Sequence, residues 1–252
     1  VTQLDDSASL EAVHASAPDR RRPWGIIASI LWVILTFEGV GRAEDHLFAI
    51  PALHGNIGHA ALLLTVWGSQ LLVIVMAARL TRWSVVEYLG WLRPQTKDLA
   101  FGCTVILVLA LAGNALAYLV TGHAFDVAGY RAAITAGTSP FWYVFQWWPA
   151  ILCAPLVEES AIRGFMWRGI EARAGGLVAF LITSLYFAVM HYRYFVANGV
   201  IFPGPFGIYL INGMALGWLR WRAGNTTTTI IPHCLGNLYK QAAPVIVAAF
   251  LA

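Results

Sequence analysis

The sequence predicts an all-α membrane protein, a polytopic bundle of about seven transmembrane helices. Three observations carry this. The chain has 252 residues, of which 59% are hydrophobic and 12% charged, whereas soluble domains carry about 25% charge. Long apolar runs recur along it, separated by short polar segments, which is the pattern of serial membrane spans. No period-2 alternation is sustained, so a transmembrane barrel is not expected. The net charge of +3 is small. The expected partners are the lipid bilayer and a membrane-associated protein or peptide, and no nucleic acid. Cys103, Cys153 and Cys234 lie in or beside apolar runs with no C-x-x-C or zinc-ligand spacing, and read as small apolar residues.

The elements follow in order. Residues 1–23 are polar, acidic at first and then basic at Arg20, Arg21 and Arg22, and read as a flexible cytoplasmic tail with no cleavable signal peptide. Span 1 covers Trp24 to Gly41 and holds Glu38 near its far end; a loop follows to Asn56. Span 2 runs from Ile57 to Ala78 and span 3 from Leu99 to Val120, both free of formal charge, with a basic loop between them. Thr121 to Pro140 reads as a loop, and a re-entrant segment there stays open. Span 4 starts at Phe141 and carries Pro149 and Pro155. Proline inside a span implies a kink whose freed carbonyls another group satisfies. A polar turn is expected at Arg168 to Gly176, span 5 from Leu177 to Phe202, span 6 from Pro203 to Leu219, a loop at Arg220 to Thr229, and span 7 from Ile230 to Ala252. Many tryptophans, among them Trp24, Trp83, Trp91 and Trp218, fall near span ends and fit interfacial belts. Gly213 and Gly217 form G-x-x-x-G, a spacing that lets helices approach closely.

Lys and Arg set the orientation. With the N-terminus inside, the cytoplasmic segments hold Arg20, Arg21, Arg22, Arg79, Arg82, Arg93, Lys97, Arg168, Arg173, Arg220 and Arg222. The opposite loops hold only Arg42 and Arg131. The expected location is a prokaryotic cell membrane.

The chemistry concentrates at Ala154 to Phe165, A-P-L-V-E-E-S-A-I-R-G-F. A charge at mid-bilayer costs about 2.5–3.5 kcal/mol on insertion scales, so two acids and an arginine inside a span mark a functional site. Glu159 and Arg163 are i and i+4 on one helix face and can pair, while Glu158 points about 100° away. Phe187 and His191, and His233 and Asn237, are also i,i+4 pairs. Placing the inner surface near Arg168, Ile182 and Arg222 puts Glu158, His191 and His233 about 15 Å deep, near the middle of the bilayer core. A free carboxylate, two imidazoles and an amide at one depth can hydrolyse a peptide without a serine or cysteine nucleophile.

These residues carry a resemblance. E-E-x-x-x-R (Glu158, Glu159, Arg163), F-x-x-x-H (Phe187, His191), the N-G-M-A-L-G span and H-x-x-x-N (His233, Asn237) resemble, in order and spacing, the four motifs of the CPBP family. That family comprises type II CAAX prenyl proteases and bacteriocin-processing or immunity proteins. The first half of the chain is similar only loosely, at E-Y-L-G-W-L-R-P before span 3. The resemblance implies a glutamate-dependent intramembrane endopeptidase, with no metal and no other cofactor. It implies that Glu158 and His191 activate water, that His233 and Asn237 hold the oxyanion, and that Glu159 and Arg163 support them. The expected organisation is a tail (1–23), N-terminal transmembrane helices (24–140) and a catalytic core (141–252).

Alternatives stay open. Glu158, Glu159 and Arg163 could be a helix-end charge cluster at the membrane surface. His191, His233 and Glu158 could hold catalytic zinc, although no H-E-x-x-H stands here. The protein could instead be a non-catalytic immunity or peptide-binding protein, or a proton-coupled transporter, for which no inverted repeat is found. Glu38, Arg193 and Lys240 are span charges outside the motifs.

Overall fold

The computed structural model describes residues 23–48, 50, 56–122, 127–197, 200–201 and 203–250. The expected tail lies outside them except for Pro23. The described chain is a bundle of helices with one minimal hairpin.

The first helical stretch starts as α1 (Ile26–Ile34), passes through a π-helical turn at Leu35–Val40 and continues as α2 (Gly41–Phe48). The loop expected from Arg42 is therefore helical to Phe48. One consequence is that Glu38 and Arg42 are i,i+4 partners, 3.4 Å apart and exposed to solvent or headgroups. Trp24 fixes the start of the stretch: its Nε1 donates to the Ala77 carbonyl at 2.8 Å and its backbone N–H to the Tyr88 hydroxyl at 3.1 Å.

Helix α3 (Asn56–Arg79) and helix α5 (Thr96–Thr121) occupy the expected spans 2 and 3. Between them α4 (Val85–Leu89) is capped at its start by the Ser84 hydroxyl, which accepts from the Glu87 N–H at 3.1 Å. It ends at Gly90, with φ 68°, a left-handed conformation that glycine adopts without steric cost. Arg168 donates to the Tyr88 and Glu87 carbonyls at that helix end, at 3.0 and 2.8 Å. Thr226 donates its N–H to the Gly90 carbonyl at 2.8 Å. The E-Y-L-G-W-L-R-P stretch is thus strapped to the C-terminal half.

Residues expected as a loop after span 3 include a nine-residue helix, α6 (Val127–Thr135), packed against the last helix of the chain. Then come α7 (Pro140–Phe145), a π turn at Pro149–Cys153, α8 (Ala154–Glu159), a second π turn at Ser160–Met166, and α9 (Trp167–Met190). The polar turn expected at Arg168 to Gly176 is mostly helix. The change of direction is concentrated at Gly175, with φ 83° and ψ 168°, a conformation open to glycine alone. Span 5 is also shorter than expected. Helix α9 stops at Met190, a 3-10 turn spans Tyr192–Tyr194, and β1 (Val196–Ala197) pairs antiparallel with β2 (Val200–Ile201). Helix α10 (Pro203–Ala223) and helix α11 (Thr227–Phe250) close the chain. The loop expected over Arg220 to Thr229 shrinks to the three residues between them.

Among the described residues three stretches are long and apolar enough to cross a membrane: Ala61–Arg79, Thr96–Val120 and the 51-residue Pro140–Met190, which bends at Gly175; Ile26–Val40 is a shorter apolar helix. Helices α10 and α11 have 21 and 24 residues, enough length, but fall short of the same apolarity. Their polar residues explain this, since α11 carries Thr227, Thr228, Thr229, His233, Asn237 and Lys240. Large apolar side chains are exposed around the bundle, Leu72, Val108, Leu119 and Leu181 among them, as a lipid-facing surface requires. The protein is an all-helical membrane protein whose core gathers Tyr88, Leu89, Ile162, Phe165, Trp167 and Leu216.

Helix α10 lies tightly along α9 because two glycines permit it. A Cβ at Gly213 would stand 2.7 Å from the Ser184 carbonyl oxygen, and one at Gly217 would stand 2.8 Å from the Ser184 hydroxyl. The G-x-x-x-G spacing is the contact surface. Gly213→Ala should therefore destabilise the protein by about 1–3 kcal/mol, the usual range for overpacking. Gly113→Ala, at a position with nothing within 4 Å, should be neutral or stabilising. Thermal unfolding of both in one detergent checks this; equal melting temperatures would remove the packing argument.

Candidate active site

The two π turns shape the site. In the first, the Ala154 N–H bonds to the Pro149 carbonyl five residues back. The next acceptor, the Ala150 carbonyl, would need the N–H of residue 155, and Pro155 has none. The side chain of Asn237 fills the gap: its Nδ2 donates to the Ala150 oxygen at 2.9 Å. In the second, the Trp167 N–H bonds to the Ile162 carbonyl. Where five-residue bonding reverts to four-residue bonding one carbonyl is skipped, and the Arg163 oxygen receives Arg220 Nε at 2.9 Å. The segment bearing the acids is thus pinned at one end by α11 and at the other by α10.

Between these pins Glu159 and Arg163 are both fully buried and paired, Nη1 to Oε1 at 3.1 Å. Arg163 Nη2 donates to the Gly213 carbonyl at 3.0 Å, and its guanidinium lies 4.4 Å from the centre of the Phe187 ring. Ser184 Oγ donates to the same Gly213 oxygen at 3.2 Å. Burying two charges costs several kcal/mol per ion; three segments converge on this pair, while Glu159 Oε2 and Arg163 Nε take no hydrogen bond from any described residue.

His233 bridges the two acids. Its Nδ1 stands 3.0 Å from Glu159 Oε1 and its Nε2 3.9 Å from Glu158 Oε2. A carboxylate only accepts, so Nδ1 carries the hydrogen toward Glu159. Glu158 is in a different position from its neighbour. Its side chain keeps 16% exposure where Glu159 has none, and Oε2 of each acid takes no hydrogen bond from any described residue. The acid that faces away from Arg163 is the one with residual exposure.

His191 is the C-cap of α9 rather than a mid-helix residue, with φ −88° and ψ 17°. Its Nδ1 lies 2.7 Å from the Phe187 carbonyl oxygen. A carbonyl accepts, so Nδ1 is protonated and Nε2 is the nitrogen with a free lone pair in neutral imidazole. The Phe187 ring contacts both imidazoles, with centroids 4.7 Å from His191 and 5.7 Å from His233. The structure thus brings Glu158, Glu159, Arg163, Phe187, His191 and His233 into one cluster. Asn237 sits one turn beyond His233 with one of its two amide hydrogens spent on Ala150.

The sequence reading missed Tyr209, whose ring stacks on His191, as well as Ser184 and Arg220. Tyr209 lies one turn before Gly213, and that i,i+4 spacing from the glycine was its only signal. Of the other span charges, Glu38 pairs with Arg42, Arg193 lies in the 3-10 turn, and Lys240 Nζ lies 5.9 Å from the Tyr194 ring centre. Among the described residues no three His, Cys, Asp or Glu side chains are grouped so as to hold a metal ion, so the zinc ligand set of His191, His233 and Glu158 is not assembled here.

Glu159→Gln leaves Arg163 buried beside a neutral amide and should cost about 3–5 kcal/mol, the price of breaking a buried pair. Glu159→Gln combined with Arg163→Met should recover part of that loss. Thermal stability of the two variants and the parent, read in one detergent, is the measurement. A single variant as stable as the parent would mean that the pair does not hold the fold.

The model of the family described as type II CAAX prenyl endopeptidase Rce1-like matches residues 140–239. The match contains every residue of the cluster and Asn237. Neither the curated proteins nor the solved structures yield a match. Residues 140–239, which fold around the acid pair and the two histidines, are similar to the Rce1-like type II CAAX prenyl endopeptidase family.

Proposed function

We propose that the protein is a glutamate-dependent intramembrane endopeptidase acting on membrane-associated or lipidated proteins or peptides. The observation that carries this is the contrast between adjacent acids: Glu159 is spent on Arg163 and His233, while Glu158 is partly exposed and open beside an imidazole. Glu158, with His191 Nε2 beside it, takes a proton from water as the water oxygen attacks the scissile carbonyl carbon. The negative charge then forming on the carbonyl oxygen is met by His233, protonated at Nε2, and by the remaining amide hydrogen of Asn237. Glu158 passes its proton to the leaving nitrogen as the C–N bond breaks, and the carboxylate is regenerated. Glu159 holds His233 through Nδ1, and Arg163 holds Glu159. No step in this scheme calls on a metal or other cofactor.

Seven spans with a cytoplasmic N-terminus accompany this reading. The tail (1–23), the N-terminal helices (24–140) and the catalytic core (141–252) are its parts, and a prokaryotic cell membrane is its location. The charge bias of the loops supports the orientation.

Glu158→Gln keeps the shape of the side chain but cannot take a proton. Cleavage should fall by at least about 10²–10⁴-fold with melting temperature and membrane insertion unchanged. The assay is purified protein in detergent against prenylated and unmodified peptide libraries, read by mass spectrometry. Cleavage by Glu158→Gln at the parental rate would remove Glu158 as the base.

Orientation is checked by labelling Val86→Cys and Ala128→Cys with an impermeant maleimide, after removal of the native cysteines. Both side chains are exposed in the structure. Ala128→Cys should label from outside and Val86→Cys only after permeabilisation. The reverse pattern would invert the topology.

A further inference from the structure

His191 has few constraints of its own. It terminates α9, and the chain beyond it is no longer helical. Among the described residues its side chain makes one hydrogen bond, Nδ1 to the Phe187 carbonyl, which identifies the nitrogen that carries the proton. One such bond still lets the imidazole plane swing, because the terminal torsion of a histidine is broad. Tyr194 lies 6.0 Å from the imidazole at 33°, and the closer, flatter stack on it is made by Tyr209 of α10. The two rings are nearly parallel, 16° apart, with centroids 4.3 Å from each other. Phe187 presses on the same imidazole at 4.7 Å, tilted by 49°, and cannot set the plane by stacking. Tyr209 is itself held. Tyr194 lies 5.7 Å from it at 31°, and one turn further along α10 the Gly213 carbonyl is clamped by Arg163 and Ser184.

We propose that Tyr209 is a positioning residue whose ring face, not its hydroxyl, holds the His191 imidazole in the plane that presents Nε2 to the site. The catalytic arm of the idea rests on the reading of Glu158 and His191 as the water-activating pair. The geometric arm does not. The stack also gives α10 a role in the site beyond the close approach at Gly213, since the same helix that seats Arg163 orients the second histidine.

The test compares Tyr209→Phe and Tyr209→Leu with the parent by two readouts. The first is the rate at which diethylpyrocarbonate modifies His191, followed by peptide mass spectrometry, which needs no substrate. The second is kcat and KM for peptide cleavage. Tyr209→Phe keeps the ring and should stay within about threefold of the parent in both. Tyr209→Leu should raise the modification rate about fivefold, the scale of a lost aromatic stack. It should lower kcat about 10–100-fold with KM nearly unchanged, as expected for a displaced catalytic group. Parental modification of His191 in Tyr209→Leu would overturn the proposal. So would a Tyr209→Phe variant as impaired as Tyr209→Leu, because the hydroxyl would then be the working group. If the parent cleaves no peptide, the peptidase reading fails and the modification rates alone decide the positioning role. If Tyr209→Leu does not fold, Tyr209→Phe decides, since its retention or loss of parental behaviour separates ring from hydroxyl.

Discussion

A fully buried guanidinium must find acceptors and an anion, and in this protein that constraint organises the C-terminal half. Arg163 Nη1 meets a carboxylate one turn back on its own segment, Nη2 meets a backbone carbonyl of α10, the guanidinium lies over an aromatic ring on α9, and Nε has no partner among the described residues. Each partner belongs to a different helical element. Satisfying one side chain therefore sets the relative positions of all three. The pair alone is weak support for stability, because desolvation offsets much of the attraction. Its value lies in geometry: only one arrangement of α8, α9 and α10 meets its needs. That arrangement also spends Glu159 and leaves Glu158 open.

The same logic applies to the backbone. Carbonyls without partners are costly where water is scarce, and the two π turns around the acids each create one. Asn237 takes the first and Arg220 the second. Each irregularity in the acid-bearing segment thus recruits a polar side chain from another helix. A segment cross-linked in this way resists the small rotations that would exchange the environments of Glu158 and Glu159. The strap from Thr226 to Gly90 and the bond from Trp91 Nε1 to Ser160 Oγ, at 2.8 Å, extend the same support to the first half of the chain.

Much of this was legible in the sequence because it depends on spacing. Glu159 and Arg163 pair as i,i+4 residues must on a helix, Pro155 frees a carbonyl as proline must, and Gly213 with Gly217 permits close packing. The apolar runs likewise located α3 and α5 to within a few residues. What was hidden depends on partners remote in sequence. No local pattern shows that Asn237 answers Pro155, that Arg220 answers Arg163, or that Tyr209 stacks on His191. The boundaries that moved did so where polar residues are helical for tertiary reasons. Arg168 and Glu171 lie in helix because Arg168 caps α4, and Thr227–Thr229 enter α11 with the Thr228 hydroxyl bonding Asn225 and the Thr229 hydroxyl bonding the Thr226 carbonyl. Span 5 erred in the opposite direction: its apolar run continues past His191 although its helix does not.

That early end of α9 places irregular backbone beside the candidate site. Non-helical backbone at membrane depth is tolerated only where protein buries it or where it lines a water-filled space. The 3-10 turn after His191 is not buried, since Tyr192 and Tyr194 are 38% and 67% exposed. Its backbone keeps hydrogen bonds of its own, Tyr194 N–H to the His191 carbonyl at 2.9 Å and Phe195 N–H to the Tyr192 carbonyl at 3.0 Å. Helix α11 is polar on its side of the same cluster, through Thr229, His233 and Asn237. The acid segment, by contrast, is closed from behind by Ile162, Phe165 and Met166, all fully buried. Glu159 and Arg163 are fully buried beside Phe187. That one aromatic ring contacts His191, His233 and Arg163 together, so the ring that covers the buried pair also backs both imidazoles.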